Sequence, residues 1–460
     1  MVLQQPGNRP LSTPPAAFRY TLVVRYHIVT LGCPKNVVDS ERIERVLGEG
    51  RHRAVARPSQ ADLLIVNTCG FIDAATEESL AAILRLASAK QRGQRLLVVG
   101  CLSQLHADEL LRDLPEVDAV FGVEAWEEIA AYAAALDGGA AEAAFDIPET
   151  SPSAPRPSAY LKIADGCDAP CTFCIIPAIK GPAHSTPADQ LVAEARLLAA
   201  QGVQELVLVA QDSTAYGRDL GQRDGLPQLL ERLAQAVPEV PWLRVMYAYP
   251  GHVSRRLART MASLPQVCHY LDIPLQHGSP SVLRRMRRPS SLRRLRGMFE
   301  TLREAMPDIA LRTTFVVGYP GETEEEFEEL LALVRELRFD HLGAFTFSAQ
   351  AGTSAARQPN QVPERVKLRR YRRLMETAQR VSLQRNREWV GRELQVLVES
   401  KPPRRRLPGD EGLFVGRSFR DAPEVDGLVL CSGRAEPGTW WRVRITQALP
   451  YDLVGIPADA

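Results

Sequence analysis

Between Leu22 and about Leu136 short apolar runs alternate with amphipathic stretches. LVVRYHIV, DLLIVNT, LLVVG and VDAVFG read as strands, whereas DSERIERVL, ATEESLAAILRLA and WEEIAAYAAAL space their apolar residues as helices do. This rhythm predicts a parallel sheet flanked by helices, an α/β unit over residues 21–146. From 147 to 158 the text carries Pro148, Pro152, Pro155 and Pro157 and predicts a linker. A longer alternation fills 159–390, where YLKIAD, ELVLVAQD, WLRVMYAY, HYLDIPL, IALRTTFVVG and HLGAFTFS are separated by helix-like segments such as ETEEEFEELLALVRELR. Six such units predict an open α/β barrel of (β/α)6 type, whose ligands gather where the strands end. After Pro363 comes an arginine-laden helix to about Val390. Residues 391–460 then turn β-rich (ELQVLVES, GLFVGRS, GLVLCSG, WWRVRITQAL), predicting a small antiparallel barrel of about five strands. The opening 1–20, with Pro6, Pro10, Pro14 and Pro15, reads as a frayed tail.

Composition narrows the class. The chain has 460 residues, 45% of them apolar, and 56 basic against 55 acidic side chains leave a formal charge of +1. That length suits about three folded units and excludes disorder as the main state. Near-zero charge removes any whole-chain case for a polyanionic partner, so a nucleic-acid contact requires a local patch. No stretch approaches the roughly eighteen apolar residues of a membrane span, and Met1–Tyr20 lacks the apolar centre of a signal peptide, which predicts a cytoplasmic protein. Eight cysteines are too sparse for a disulfide scaffold, leaving burial, catalysis or metal binding as their uses.

Three of them, Cys167, Cys171 and Cys174, stand at C-x3-C-x2-C directly after the strand YLKIAD, on the ligand side of the predicted barrel. A zinc site wants four protein ligands and no fourth cysteine is at hand, His184 being ten residues beyond Cys174. A four-iron cluster held by three thiolates leaves one iron open, and this spacing favours it over zinc or idle loop cysteines. In the first unit Cys33, Cys69 and Cys101 each follow a strand, and such ends share one edge of a parallel sheet. A shared metal centre is favoured there over core filling. Cys268 and Cys431 lack partners and read as inert.

GCDAPCTFCIIP resembles the cluster loop of radical S-adenosylmethionine enzymes, and LGCPKNVVDSE, VNTCGFIDAATEES and VVGCLSQ resemble the amino-terminal domain of the methylthiotransferases among them. The resemblance runs from about His27 to the C-terminus, including a tail similar to the TRAM domain, a five-stranded barrel known for RNA binding. It implies two 4Fe-4S clusters, one held by Cys167, Cys171 and Cys174 and an auxiliary one held by Cys33, Cys69 and Cys101. The first would cleave S-adenosylmethionine to a 5′-deoxyadenosyl radical, and the second would bind or supply the inserted sulfur. An electron donor is implied as a further partner.

The family modifies either transfer-RNA adenosine or an aspartate of a small-subunit ribosomal protein. GCPKN, LVAQDSTAYG, MYAYP and YLDIPLQH look like the second kind, which implies methylthiolation at the β-carbon of an aspartate of the twelfth small-subunit protein. The transfer-RNA reaction and a non-catalytic iron–sulfur RNA-binding protein stand as alternatives. Lys180, His184 and Thr186 occupy positions where relatives commonly carry arginine, and Ala169 replaces a frequent histidine, which bears on substrate contacts. For S-adenosylmethionine the strand ends nominate Gln211, Asp212, Gln276, His277, Arg312 and Gly318, against ordinary capping, loop and ion-pair roles for the same residues. Gly318 to Glu322 matches no phosphate loop.

Between Arg365 and Val390 nine cations face two anions, and Arg404, Arg405 and Arg406 continue the charge. A patch for a ribosomal substrate or RNA and a merely solvated helix face weigh equally. Trp440 and Trp441 read as barrel core rather than a base-stacking platform.

Overall fold

A computed structural model describes residues 23–136, 156–400 and 412–458. The predicted tail, residues 147–155 of the predicted linker, and Arg404 to Arg406 lie outside the described residues.

The amino-terminal sheet comprises β1 (Arg25–Thr30), β2 (Arg53–Ala54), β3 (Leu63–Thr68), β4 (Arg95–Gly100) and β5 (Ala119–Val120), in the order β2-β1-β3-β4-β5. Every pairing is parallel. Alternation along β3 and β4 serves two cores: Leu64, Val66, Leu96 and Val98 face one layer of helices, and Leu63, Ile65, Leu97 and Val99 face the other. Burial on both faces explains why these strands read as unbroken apolar runs. The helices α1 (Pro34–Glu49), α2 (Asp73–Ala89), α3 (Cys101–Asp113) and α4 (Trp126–Ala135) cover the sheet.

Next come β6 (Ser158–Lys162), the two-residue β7 (Ala164–Asp165), α5 (Ile176–Lys180) and the two-residue β8 (His184–Ser185), followed by β9 (Glu205–Val209), β10 (Trp242–Val245), β11 (Val267–Asp272), β12 (Ala310–Val317) and β13 (His341–Thr346). Six of these strands form one open parallel sheet, β13-β12-β11-β10-β9-β6, each beside its neighbour in sequence. Leu206, Leu208, Leu243, Val245, Leu271 and Phe315 turn outward to the helices. Val207, Val209, Trp242, Tyr270 and Ala310 turn inward, where they meet Val38 from α1 and Leu397 and Ala422 from the C-terminal unit.

The C-terminal strands β14 (Glu393–Ser400), β15 (Leu413–Arg417), β16 (Val429–Ser432), β17 (Trp440–Ala448) and β18 (Leu453–Pro457) close a barrel in the order β14-β15-β16-β18-β17. The expectation of an antiparallel barrel needs one correction, because β16 and β18 pair in parallel. Directions cannot alternate all the way around a ring with an odd number of strands, so one parallel pair is forced.

Two further expectations change. The cationic helix runs from Glu364 to Arg387, but much of its charge is used internally. Arg370 is buried against Glu322 at 3.2 Å, Arg373 pairs with Glu324 and Glu328, Arg385 reaches Asp340 at 3.1 Å, and Lys367 donates to the Phe347 carbonyl at 2.7 Å. Trp440 is not in the small barrel's core. It docks edge-on against Trp242 of the central sheet, ring centroids 4.6 Å apart, and its Nε1 donates to Gln204 at 2.8 Å. Trp441 does pack on the core ring of Phe414. Among the described residues no helix is long and apolar enough to cross a membrane.

Candidate cluster and cofactor site at the barrel mouth

The loops after β1, β3 and β4 carry Cys33, Cys69 and Cys101 to one edge of the first sheet. Asn36 ties the loops together: its Nδ2 donates to the carbonyls of Leu31 at 2.8 Å and Thr68 at 3.0 Å, and the Cys101 thiol lies 3.8 Å from its Oδ1. Asn67 donates back to the Asn36 carbonyl at 2.9 Å, and Ser79 both accepts from the Cys69 N–H and donates to its carbonyl. Gly32 has φ +91°, and a Cβ there would fall 2.6 Å from Cys69 Cβ and 2.9 Å from its Sγ. Only glycine lets the Cys33 turn approach Cys69 this closely.

The second triplet follows β7. Gly166, at φ +73°, leaves no room for a side chain, since a Cβ would sit 2.0 Å from the Pro182 carbonyl oxygen. Thr172 pins the loop to the body of the barrel through the carbonyl of Arg285 at 3.1 Å and the hydroxyl of Tyr319 at 2.8 Å. Sulfur is met by donors: Ala169 N–H points at Cys167 Sγ from 3.5 Å, and Arg288 Nη1 lies 3.6 Å from Cys171 Sγ. The Arg288 guanidinium also lies over the Tyr249 ring, 4.2 Å from its centroid.

The two triplets are neighbours. Cys101 is buried together with Ile175 and Ile179, which follow Cys174. Beside them Lys162 and Lys180 are each held by both Asp39 of α1 and Asp165 of β7, at 2.6 to 3.1 Å, and are almost fully buried. Burial pushes the Asp165 carboxyl up, but Lys162 and Lys180 outweigh it and hold that group well below the usual carboxylate range.

Burial pushes the free thiols of Cys101 and Cys174 up to about 12. Thiols in such surroundings stay protonated unless a metal or a nearby cation supplies compensating charge. Among the described residues no three Cys, His, Asp or Glu side chains converge tightly enough for a single metal ion. His184, the nearest candidate for a fourth zinc ligand, is instead exposed with its Nε2 3.4 Å from Glu124. Each triplet is a soft, three-donor set, which fits an iron–sulfur cluster with one iron left open.

A cavity of about 210 Å³ opens beside Cys167, lined also by Asp212, Arg218, Asp219, Tyr249 and His252. Asp212 faces His252 Nδ1 at 2.7 Å, and Arg218 Nη1 lies 2.7 Å from His252 Nε2. Arginine can only donate, so Nε2 accepts and the Nδ1 proton points at Asp212.

Of the residues nominated for S-adenosylmethionine, Asp212 lines this cavity and Gln211 precedes it in the chain. Gln211 Nε2 donates to Asp165 at 2.7 Å, while its Oε1 is buried without a hydrogen-bond partner. Gln276 stands just past β11 with φ +75°, its N–H donating to the Thr314 carbonyl. The other three are engaged elsewhere and do not line the cavity. His277 is fully buried, with Nδ1 accepting from the Ser279 N–H at 3.0 Å and Nε2 left without a hydrogen-bond partner. Arg312 donates to Asp272 at 2.9 Å and to Asp426 of the C-terminal unit at 3.2 Å, the ion-pair role. Gly318 lies beneath Lys367 and donates to Glu322. Sequence reasoning assigned no role to Lys35, Asn36, Asp39, Lys162, Asp165 or Arg288. Their only local signal was proximity to the cysteines and, for Arg288, none. Cys268 and Cys431 are buried in separate apolar clusters.

Three family profiles match the chain: Uncharacterized protein family UPF0004 over residues 25–122, the Radical SAM superfamily over 161–334 and the TRAM domain over 390–457. The radical S-adenosylmethionine methyltransferase TsrM from Kitasatospora setae, solved with cobalamin and a 4Fe-4S cluster bound, superposes with a TM-score of 0.54 over 73% of this chain and 74% of that one. At 13% identity the likeness shows the fold alone. Fold and profile together make this chain a radical SAM enzyme, a class that works with a 4Fe-4S cluster and S-adenosylmethionine. Ribosomal protein uS12 methylthiotransferase RimO of Chloroflexus aurantiacus is 47% identical over 457 residues, covering 94% of this chain and 99% of that one. The RimO of Roseiflexus castenholzii is 46% identical over 468 residues, covering 94% and 96%. The chain belongs to the RimO family of ribosomal protein uS12 methylthiotransferases.

Proposed function

We propose that the chain is a transferase that replaces a β-carbon hydrogen of one aspartate of ribosomal protein uS12 with a methylthio group. The observation that carries this reading is the adjacency of two three-cysteine sets, with Cys101 packed on Ile175 and Ile179 just beyond Cys174. One set alone would serve a radical enzyme, but insertion of sulfur calls for a second soft centre within reach of the same substrate carbon.

Cys167, Cys171 and Cys174 would hold the 4Fe-4S cluster of the radical reaction, and Cys33, Cys69 and Cys101 an auxiliary one. Bound there, the clusters and S-adenosylmethionine supply one-electron chemistry at an unactivated carbon and a site for sulfur. The rest is done by side chains of this chain. Ala169 and Arg288 donate to the sulfurs, which stabilises their ionised form and raises the reduction potential of whatever they bind. Gln211 Oε1 offers an unused acceptor to the amino or ribose groups of the cofactor. The charge junction of Asp39, Lys162, Asp165 and Lys180 holds the two thiol sets in register.

A division at 147–158 and near 390 into cluster unit, radical barrel and TRAM-like docking unit belongs to this reading, as do a cytoplasmic setting and an electron donor. RNA or ribosome contact falls to Arg365, Arg372 and Arg387, exposed cations of the long helix that make no ion pair among the described residues. Mass spectrometry of small-subunit proteins and transfer-RNA nucleosides, from cells with and without the gene, tests the whole. Loss of one methylthio mass from uS12 is expected. An intact uS12 with a missing methylthioadenosine would move the same chemistry to transfer RNA, and no change in either would leave a non-catalytic iron–sulfur protein.

A further inference from the structure

We infer that a belt of exposed arginines on the rim of the central barrel docks the phosphate backbone of ribosomal RNA, which makes the assembled small subunit, rather than free uS12, the preferred substrate. The choice of substrate form rests on the function proposed above. Residues 251–299 carry ten arginines and no lysine, against a single acid, Asp272, which is buried. Four of the ten are engaged: Arg285 with Glu326, Arg296 with Glu336, Arg256 3.7 Å from both Asp224 and Glu231, and Arg288 beside Cys171. Arg255, Arg259, Arg284, Arg287, Arg293 and Arg294 are exposed and make no ion pair or side-chain hydrogen bond among the described residues.

Packing gathers these segments beside the cluster loop. The Thr172 N–H donates to the Met286 carbonyl at 3.2 Å and its hydroxyl to that of Arg285 at 3.1 Å, so the turn carrying Arg284 and Arg287 rests against the loop of Cys171 and Cys174. A Cβ on Gly251 would fall 3.4 Å from Pro289, which sets that turn next to the start of the helix Arg255–Ser263. The helix Leu292–Ala305 packs alongside it. Each helix lies between two parallel strands, so both begin at the carboxyl-terminal end of the sheet, where the mouth is. Past His252, Arg218 and Arg223 share a second cavity of about 200 Å³ with Ser254, and Arg218 also lines the cavity at Cys167. The belt is therefore continuous with the candidate cofactor site.

These positions work against the helices that carry them. Arg255 opens one helix and Arg293 and Arg294 the other, in first turns that hold no acid and where the helix dipole is already positive. Arg255 and Arg259, four residues apart on one helix, repel each other. Elsewhere on the rim the chain does the opposite: the helix Glu324–Leu337 begins with Glu324, Glu325 and Glu326. Cations kept together at a cost to their own helices find their compensation in an anionic partner. The chemistry of the belt selects nucleic acid over protein. A guanidinium fork matches phosphate oxygens, and an RNA backbone presents the unbroken row of anions that a protein surface, mixing both signs, does not. A ribosomal protein in place is flanked by such a backbone, whereas the free protein is not.

The test uses reconstituted full-length enzyme, as wild type and as one variant combining Arg255→Gln, Arg259→Gln, Arg293→Gln and Arg294→Gln. Three probes are compared: purified small subunits, protein-free small-subunit RNA and free uS12. Affinity for each is measured from about 50 to 200 mM salt, the range over which phosphate contacts weaken steeply. For subunits and for RNA the variant should lose about three units of the slope of log affinity against log salt, close to one for each phosphate contact removed. Its affinity for free uS12 should match that of wild type. Urea unfolding of the variant should occur at the wild-type midpoint or above it, because the exchange relieves repulsion at two helix ends, so a lost slope cannot be put down to misfolding. Wild type alone should modify subunits in preference to free uS12. An unchanged slope in the variant overturns the assignment, and a loss of affinity for free uS12 as large as that for subunits overturns it by giving the belt to protein. Wild type that prefers free uS12 overturns the choice of substrate form. Wild type that binds RNA through the belt, yet forms methylthio product on neither subunits nor uS12, overturns the function proposed above and leaves the RNA surface standing.

Discussion

At the amino-terminal end of the central strands, Glu205 sits between Arg244 and Arg417, each at 2.6 Å, all three essentially without exposure. Arg420 meets Asp340 at 3.0 Å, and Tyr270 donates to Asp426 at 2.6 Å, so the C-terminal barrel plugs this end through paired charges and hydrogen bonds. At the carboxyl-terminal end the same kinds of residue leave loose ends: a lysine that rests on a ring face without a hydrogen bond, an amide oxygen without a donor, six thiols, and two strained residues, Tyr247 and Gln276. Buried polar groups cost free energy unless they are partnered. One end resolves most of that cost within the chain, Arg420 Nε being an exception, and is structural. The other leaves it for ligands.

The comparison breaks most visibly at the thiols. Replacing Cys167, Cys171 or Cys174 by alanine should abolish S-adenosylmethionine cleavage altogether. Replacing Cys33, Cys69 or Cys101 should remove roughly half of the bound iron and all methylthio product while cleavage persists. Iron analysis and product chromatography measure both, and retention of methylthio product by any of the six variants would contradict the assignment.

The plugged end should answer in stability instead. Glu205→Gln leaves buried Arg244 without its anion and Arg417 with Glu399 alone, with an expected cost of about 3 to 5 kcal/mol, read by urea unfolding. Burial pushes the Glu205 carboxyl up, yet Arg417 and Arg244 outweigh it and bring it to about 2 from an ordinary 4.5. A depressed carboxylate contributes fully above its unfolded value, so this stability should be intact above about pH 4.5 and lost as the pH falls toward 2. The stability difference between wild type and Glu205→Gln should shrink over that window. A constant difference would mean that the charge is not what holds the two units together.

The smallest expected effect sharpens the same point on the protein surface. Arg373 makes two carboxylate contacts, to Glu324 and Glu328, but its side chain is 36% exposed. Arg373→Ala should cost about 0.5 kcal/mol, screened further by salt. A loss as large as that of Glu205→Gln would show that pairing, rather than burial, sets the cost.

Local chemistry made much of this legible. The six central strands and the cysteines at strand ends follow from period and spacing, because a parallel sheet sends all its carboxyl ends to one edge. The strand Leu453–Pro457 was missed, being short and bounded by no strong alternation. The long helix misled, since a count of cations says nothing about which face turns inward: Arg370 is buried, whereas Arg372, two residues on, is exposed. Arg312 was read from its place on a strand near the mouth, and Asp426, more than a hundred residues later, claims it from below.

The sequence by itself determined the inventory: two sets of three thiols, each placed by a strand and, at Cys33, Cys101 and Cys167, a preceding glycine, together with the order of the strands that carry them. These are matters of local geometry, settled within a few residues. Only the tertiary structure decided which charges are spent and which remain free. Asp39 and Lys162 lie 123 residues apart, Arg417 and Glu205 are 212 apart, and both pairs exist because distant parts of the chain bury them against each other. An ion pair is a property of distance and dielectric, and sequence fixes neither until the units have docked.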